Sequence, residues 1–182
     1  YKAENPDEVG RVNEEEIVRK AIEADECFMK AKILLKRNAL DEAAENATIA
    51  LESDNENGDY IALEAWIESR RRPRNEKVDD LLIKLRKAVE LIPTSEDAHF
   101  YLAQLLYQDG RTGEALKEYQ EVAEINEHNI DAVRMVRILN RKKEEAAKKP
   151  KAASSSGGGF FSSLFSDGKK KSSPPNQGSP IA

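Results

Sequence analysis

Apolar residues recur along roughly the first 148 positions at spacings of three and four, and charged side chains fill the intervals. That period matches one face of an α-helix, and no stretch alternates with the period of two that a strand requires. In the first such stretch Ile17, Ala21, Phe28, Ala31 and Leu35 mark one face, with Val18, Ile22 and Leu34 beside them, which predicts helical structure over residues 12–37. The same pattern predicts helices over about 39–53, 59–71, 76–92, 95–109, 112–126 and 129–148. The breaks fall at turn-forming residues: Asn38, Asn57–Gly58, Pro73, Pro93, Asp109–Gly110 and His128–Asn129. Residues 1–11, with Pro6 and Gly10 among charges, read as a linker. Beyond about Lys149 the chain turns to Ser, Gly, Pro and Lys, a composition expected to be disordered.

Internal repetition decides the fold. Leu102, Ala103 and Leu106 lie on one predicted helix, Gly110 in the turn after it, and Ala115, Tyr119 and Val122 on the next. This segment, Ser95 to Asn129, closely resembles the tetratricopeptide repeat, in which small residues let two helices approach and bulky ones fill the flanking grooves. The register carries backwards: Ala103 matches Ala65, 38 residues earlier, and Ala31, 34 before that. Ala115 matches Leu81 and then Ala43, and Val122 matches Ala88 and then Ala50, at offsets of 34 and 38. One insertion of about four residues within SRRRPRNEK accounts for every offset. The resemblance implies an all-α fold, a right-handed superhelical stack of about three helical hairpins (24–57, 58–95 and 96–129) within a domain spanning 12–149. A capping helix over 130–149 closes it, with Ala132, Val133, Val136 and Leu139 toward the last repeat and Arg134, Arg137 and Arg141 toward water. A disordered tail follows over 150–182.

Charge and composition narrow the function. The net charge of −5 conceals an asymmetry: nine basic and three acidic residues from Arg141 onward give +6, leaving −11 on the body. An acidic body repels phosphates, which argues against nucleic-acid binding there, whereas the basic helix and tail suit RNA or an anionic membrane surface as an alternative. One Cys excludes a disulfide framework. The absence of a long apolar run argues for a cytoplasmic protein. The chain opens on Tyr1 with no targeting pattern, as expected of a piece of a longer protein.

Little points to catalysis. His99, His128 and Cys27 have no nucleophile–base pattern around them, no Cys/His cluster suits a metal, and no phosphate-cradling motif is present, so neither enzyme activity nor a cofactor is expected. The segment SDNENGDYIALE, Ser53 to Glu64, has the spacing of a calcium loop, but Ser53 stands where the first carboxylate belongs, and turn chemistry explains Asn57–Gly58.

The repeat family implies instead a partner protein or peptide held on the concave face, with no small-molecule substrate. Domains of this kind that hold chaperone tails use Lys and Asn on the groove helices. The aligned positions here carry Phe28, Lys32, Leu63, Asp97 and Tyr101, so a neutral or basic peptide fits better. Tyr60, Glu64, His99 and Tyr101 are the expected partner-binding residues. In the tail, Phe160, Phe161, Leu164 and Phe165 hold three of the five Phe of the protein and read as a docking motif with weak membrane contact as a minor use. The run from Arg70 through Lys143 also resembles the C-terminal part of bacterial multidomain proteins that join a J-domain to such repeats. That resemblance implies an adaptor or scaffold within a co-chaperone whose upstream part lies outside this sequence.

Overall fold

A computed structural model describes residues 6–73 and 75–148, with side chains from residue 14 onward. Seven helices follow one another: α1 (Pro6–Lys36), α2 (Leu40–Ser53), α3 (Gly58–Arg71), α4 (Asp79–Leu91), α5 (Glu96–Gln108), α6 (Thr112–Ile125) and α7 (Ile130–Lys148). No strand occurs among the described residues. The expected tail, with Phe160, Phe161, Leu164 and Phe165, lies outside them.

The helix starts have visible causes. Asn57 accepts hydrogen bonds from the backbone N–H groups of Asp59 (3.0 Å) and Tyr60 (3.3 Å), capping α3. Ser95 accepts from the Ala98 N–H (3.1 Å) at the start of α5, and Asn129 from the Ala132 N–H (2.9 Å) at the start of α7. Each satisfies a donor that the first helical turn leaves without a partner. α1 begins six residues before its expected start, so the linker expected over 1–11 is a correction: residues 6–11 are helical. Proline is well suited to a first helical position, and one Gly10 does not break a 31-residue helix.

Helices pair as α1–α2, α3–α4 and α5–α6, with α7 against α5–α6. Two hairpins turn on a left-handed residue at equivalent positions, Asn38 (φ 60°) and Gly110 (φ 84°). These residue types tolerate that conformation best. The middle hairpin has Arg72 at the matching place, with extended backbone (φ −70°, ψ 148°), and the inserted residues follow it. Arg72 holds this longer loop: its guanidinium donates to both Asp80 carboxylate oxygens (2.8 and 2.6 Å) and to the Lys77 carbonyl (3.2 Å), and pairs with Glu68. α4 starts at Asp79 rather than Glu76, and the Lys77 carbonyl just before it accepts from Arg72.

A main core runs through the stack, beside a smaller cluster of Ala24, Ala50 and Tyr60. Fully buried Ala31, Ala43, Ala65, Ala103 and Ala115 keep helix axes close, while Leu63, Ile67, Leu85, Leu102 and Leu106 fill the spaces between them. At the start of α3 a Cβ on Gly58 would lie 2.7 Å from the Ala88 carbonyl oxygen, so only glycine admits the approach of α4 there. α7 buries Ala132 and Leu139 against the last hairpin and turns Arg134, Arg137 and Arg141 outward. No helix among the described residues is long and apolar enough to cross a membrane.

Candidate functional site

The first helices of the hairpins, α1, α3 and α5, together with α7, line one groove of about 640 Å³. Leu35, Phe100 and Tyr101 supply its apolar wall, and Lys32, Lys36, Arg70, Asp97 and Asp131 its charges. A smaller depression of about 370 Å³, lined by Phe100, Gln104, Tyr107 and Met135 among others, continues it between α5 and α7. Tyr101 forms the floor, with its ring stacked on Trp66 (centroids 5.4 Å apart, planes 5° apart). Arg70 lies over the Trp66 ring at 5.8 Å and donates to the Asn38 side-chain oxygen at 3.3 Å. Phe100 meets Tyr119 edge to face at 6.0 Å. Burial pushes the Tyr101 hydroxyl above its usual range, so it stays protonated, and burial likewise pushes Tyr119 up to about 12.

An ion pair crosses the groove. The Lys32 ammonium on α1 binds the Asp97 carboxylate on α5, bypassing α3, and also lies 5.4 Å above the Phe28 ring. The Asp97 charge, on which the expectation of a neutral or basic ligand rests, is thus matched within the protein. Asp131, the other carboxylate of the groove, pairs with Arg134 on its own helix (2.8 Å), whereas among the described residues Lys36 and Arg70 have no carboxylate partner.

Of the four residues expected to bind a partner, Tyr101 lines this groove and the others are engaged elsewhere. Glu64 faces α4, where its carboxylate accepts from Lys84 (3.1 Å), which also reaches Glu68 (3.2 Å). Tyr60 is buried, donates its hydroxyl to Asp25, and meets the Phe28 ring at 5.1 Å. Burial, reinforced by Asp25, holds its hydroxyl protonated. His99 is buried between α5 and α6, with Nδ1 2.8 Å from the Glu118 carboxylate and Nε2 3.1 Å from the Pro93 carbonyl. Sequence reasoning overlooked Phe100 as a groove residue, although it occupies the same repeat position as Phe28.

Both neighbours of the His99 ring are acceptors, so the doubly protonated imidazolium satisfies both. The hydrogen bond to Glu118 is the largest cause of a pKa raised above the ordinary 6.5, and it outweighs the opposing effect of burial. Because the folded value exceeds the unfolded one, the stabilisation is full below pH 6.5 and is lost as the pH rises through the folded value. The urea midpoint is therefore expected to fall from about pH 6 to about pH 8.5, and less steeply in His99→Gln. Equal slopes in the two proteins would remove His99 as the cause.

The model of the family described as bacterial transcriptional activator domain matches residues 21–142. The chain belongs to that family. Solved structures place the family member's fold among tetratricopeptide repeat domains. The first such domain of Spaghetti (RPAP3), bound to an HSP90 peptide, is 20% identical with a TM-score of 0.56, covering 68% of this chain and 95% of that one. The first domain of human RPAP3 is 19% identical with a TM-score of 0.57, covering 70% and 97%. The Sgt2 domain from Aspergillus fumigatus is 19% identical with a TM-score of 0.58, covering 69% and 82%. A comparison with curated proteins finds no match.

Proposed function

We propose that the chain is a non-enzymatic adaptor that binds an extended peptide segment of a partner protein in the groove over α1, α3, α5 and α7. The observation that supports this is the preformed groove itself, with an apolar wall of Leu35, Phe100 and Tyr101 beside Arg70 and Lys36. A groove built on helices loses little conformational entropy on binding, so a short segment can bind with useful affinity. The free charges favour a neutral or acidic peptide. The family description points to a transcriptional setting for the partner. The upstream J-domain implied by the sequence resemblance is a separate proposal, tested by finding a His-Pro-Asp tripeptide in the full reading frame.

The test selects a random heptapeptide library displayed on phage against the full chain. Selected peptides are expected to bind roughly tenfold more weakly to Phe100→Ala and to Arg70→Glu, in keeping with a few residues dominating affinity. Ile83→Lys, at an exposed position of α4 outside the groove, should leave binding unchanged. A library that yields no binder, or binders indifferent to Phe100 and Arg70, would overturn the reading.

A further inference from the structure

The middle hairpin departs from the other two at its turn. Residues 37–39 join α1 to α2 and residues 109–111 join α5 to α6, whereas residues 72–78 join α3 to α4. By the repeat offsets, Pro73 and Val78 correspond to Ala39 and Leu40 in the first hairpin and to Arg111 and Thr112 in the third. Those pairs are neighbours in the chain, but four residues separate Pro73 from Val78. The widened turn faces the last turn of α5 across a pocket of about 470 Å³. Pro73 and Val78 line it on the turn side, and Leu105 and Gln108 on the α5 side.

This wall is held in one shape. Arg72 binds Asp80, Glu68 and the Lys77 carbonyl, and the Glu76 N–H donates to the Pro73 carbonyl at 3.1 Å. Val78 packs on the main core, and Leu105 at the base is 2% exposed. A fixed wall loses little conformational entropy when a ligand settles against it. The volume lies within the roughly 300–1,000 Å³ of pockets that enclose compact ligands.

The charges around the pocket are mostly satisfied. Arg72 is paired as above, and Asp109 binds Arg111 at 2.7 Å. Arg70 has no carboxylate partner among the described residues, and its side chain lines both this pocket and the peptide groove. The two are therefore contiguous at Arg70. Glu76, exposed on the rim, disfavours a second carboxylate farther along. On the peptide-binding reading of the groove, we propose that this pocket is its specificity subsite. The ligand class is a segment in which an acidic residue at Arg70 adjoins a large apolar residue seated between Pro73, Val78 and Leu105.

Val78 is the N-cap residue of α4 and makes no side-chain cap bond. Serine is preferred at that position, so Val78→Ser opens the apolar wall while a new cap offsets the lost packing. Pro73→Ser, at an exposed position, opens the other side of the same wall without touching the core. The probes are heptapeptides selected against the full chain, with affinities measured by calorimetry and folding checked by thermal melting. Selected sequences are expected to share an acidic residue beside a large apolar one. Changing that apolar residue to Ser should weaken binding to the wild type roughly tenfold. Against Val78→Ser or Pro73→Ser the same peptide change should cost less than about twofold, a coupling that reports direct contact. Equal losses against all three proteins, or selected peptides without the acidic–apolar pair, would overturn the subsite. If Phe100→Ala still weakens those peptides, the groove reading survives that failure; a library without any binder overturns both.

Discussion

Trp66→Ala is expected to lower folding stability by about 3–5 kcal/mol, the usual cost of truncating a large buried aromatic. Trp66 is the one tryptophan of the chain and is almost wholly buried in α3, the middle of the three groove-lining hairpin helices. Its ring supports Tyr101 from the next hairpin and carries Arg70 above it. Truncation leaves a cavity that backbone cannot easily close, because Ala62, Ala65 and Ala103 in the same core have no side-chain length to extend into it. The loss is a large share of the roughly 5–15 kcal/mol typical of a domain. Urea unfolding followed by circular dichroism measures it, and a change under about 1 kcal/mol would mean that Trp66 does not join the two hairpins.

A chain ending at Asn129 is expected to lose cooperative unfolding or to aggregate. Removing α7 withdraws Ala132 and Leu139 from the core and uncovers apolar surface on α5 and α6, including that beside Phe100 and Tyr119. An open solenoid end has no partner for its inward face, and terminal elements with a polar back are what keep repeat arrays soluble. The truncated chain retains the Asn129 and Asn126 side-chain bonds to Glu96 (2.7 and 2.9 Å), so the lost apolar cover is the main difference. Size-exclusion chromatography and urea unfolding decide the matter: a monodisperse 1–129 chain with an unchanged midpoint would show that α7 is not a cap.

Much of the fold was legible because repetition averages out local ambiguity. The offsets of Ala31, Ala65 and Ala103 located the insertion before Leu81, and the turn residues Asn38 and Gly110 fell where the left-handed conformations occur. The start of α1 was misread because Pro6 suits a first helical turn as well as it suits a linker. The site was less legible. A polar residue on α3 or α5 can face the groove or its own hairpin partner, and periodicity does not distinguish these. Glu64 and His99 therefore looked available, whereas Lys84 and Glu118 engage them from the paired helix. The Lys32–Asp97 contact joins residues 65 apart in sequence at positions that are not repeat equivalents, so no offset could reveal it.

That contact makes the array more than a chain of springs. In a solenoid each unit normally touches only its neighbours, so bending at one junction is independent of bending at the next. A tie from the first unit to the third spans both junctions and makes their flexing correlated, as a strut stiffens two adjacent hinges. Because Lys32 and Asp97 are partly exposed, with side chains 28% and 40% accessible, dissolved salt weakens the strut without touching the core. Raising ionic strength is therefore expected to loosen the coupling between the two junctions while the melting temperature changes little.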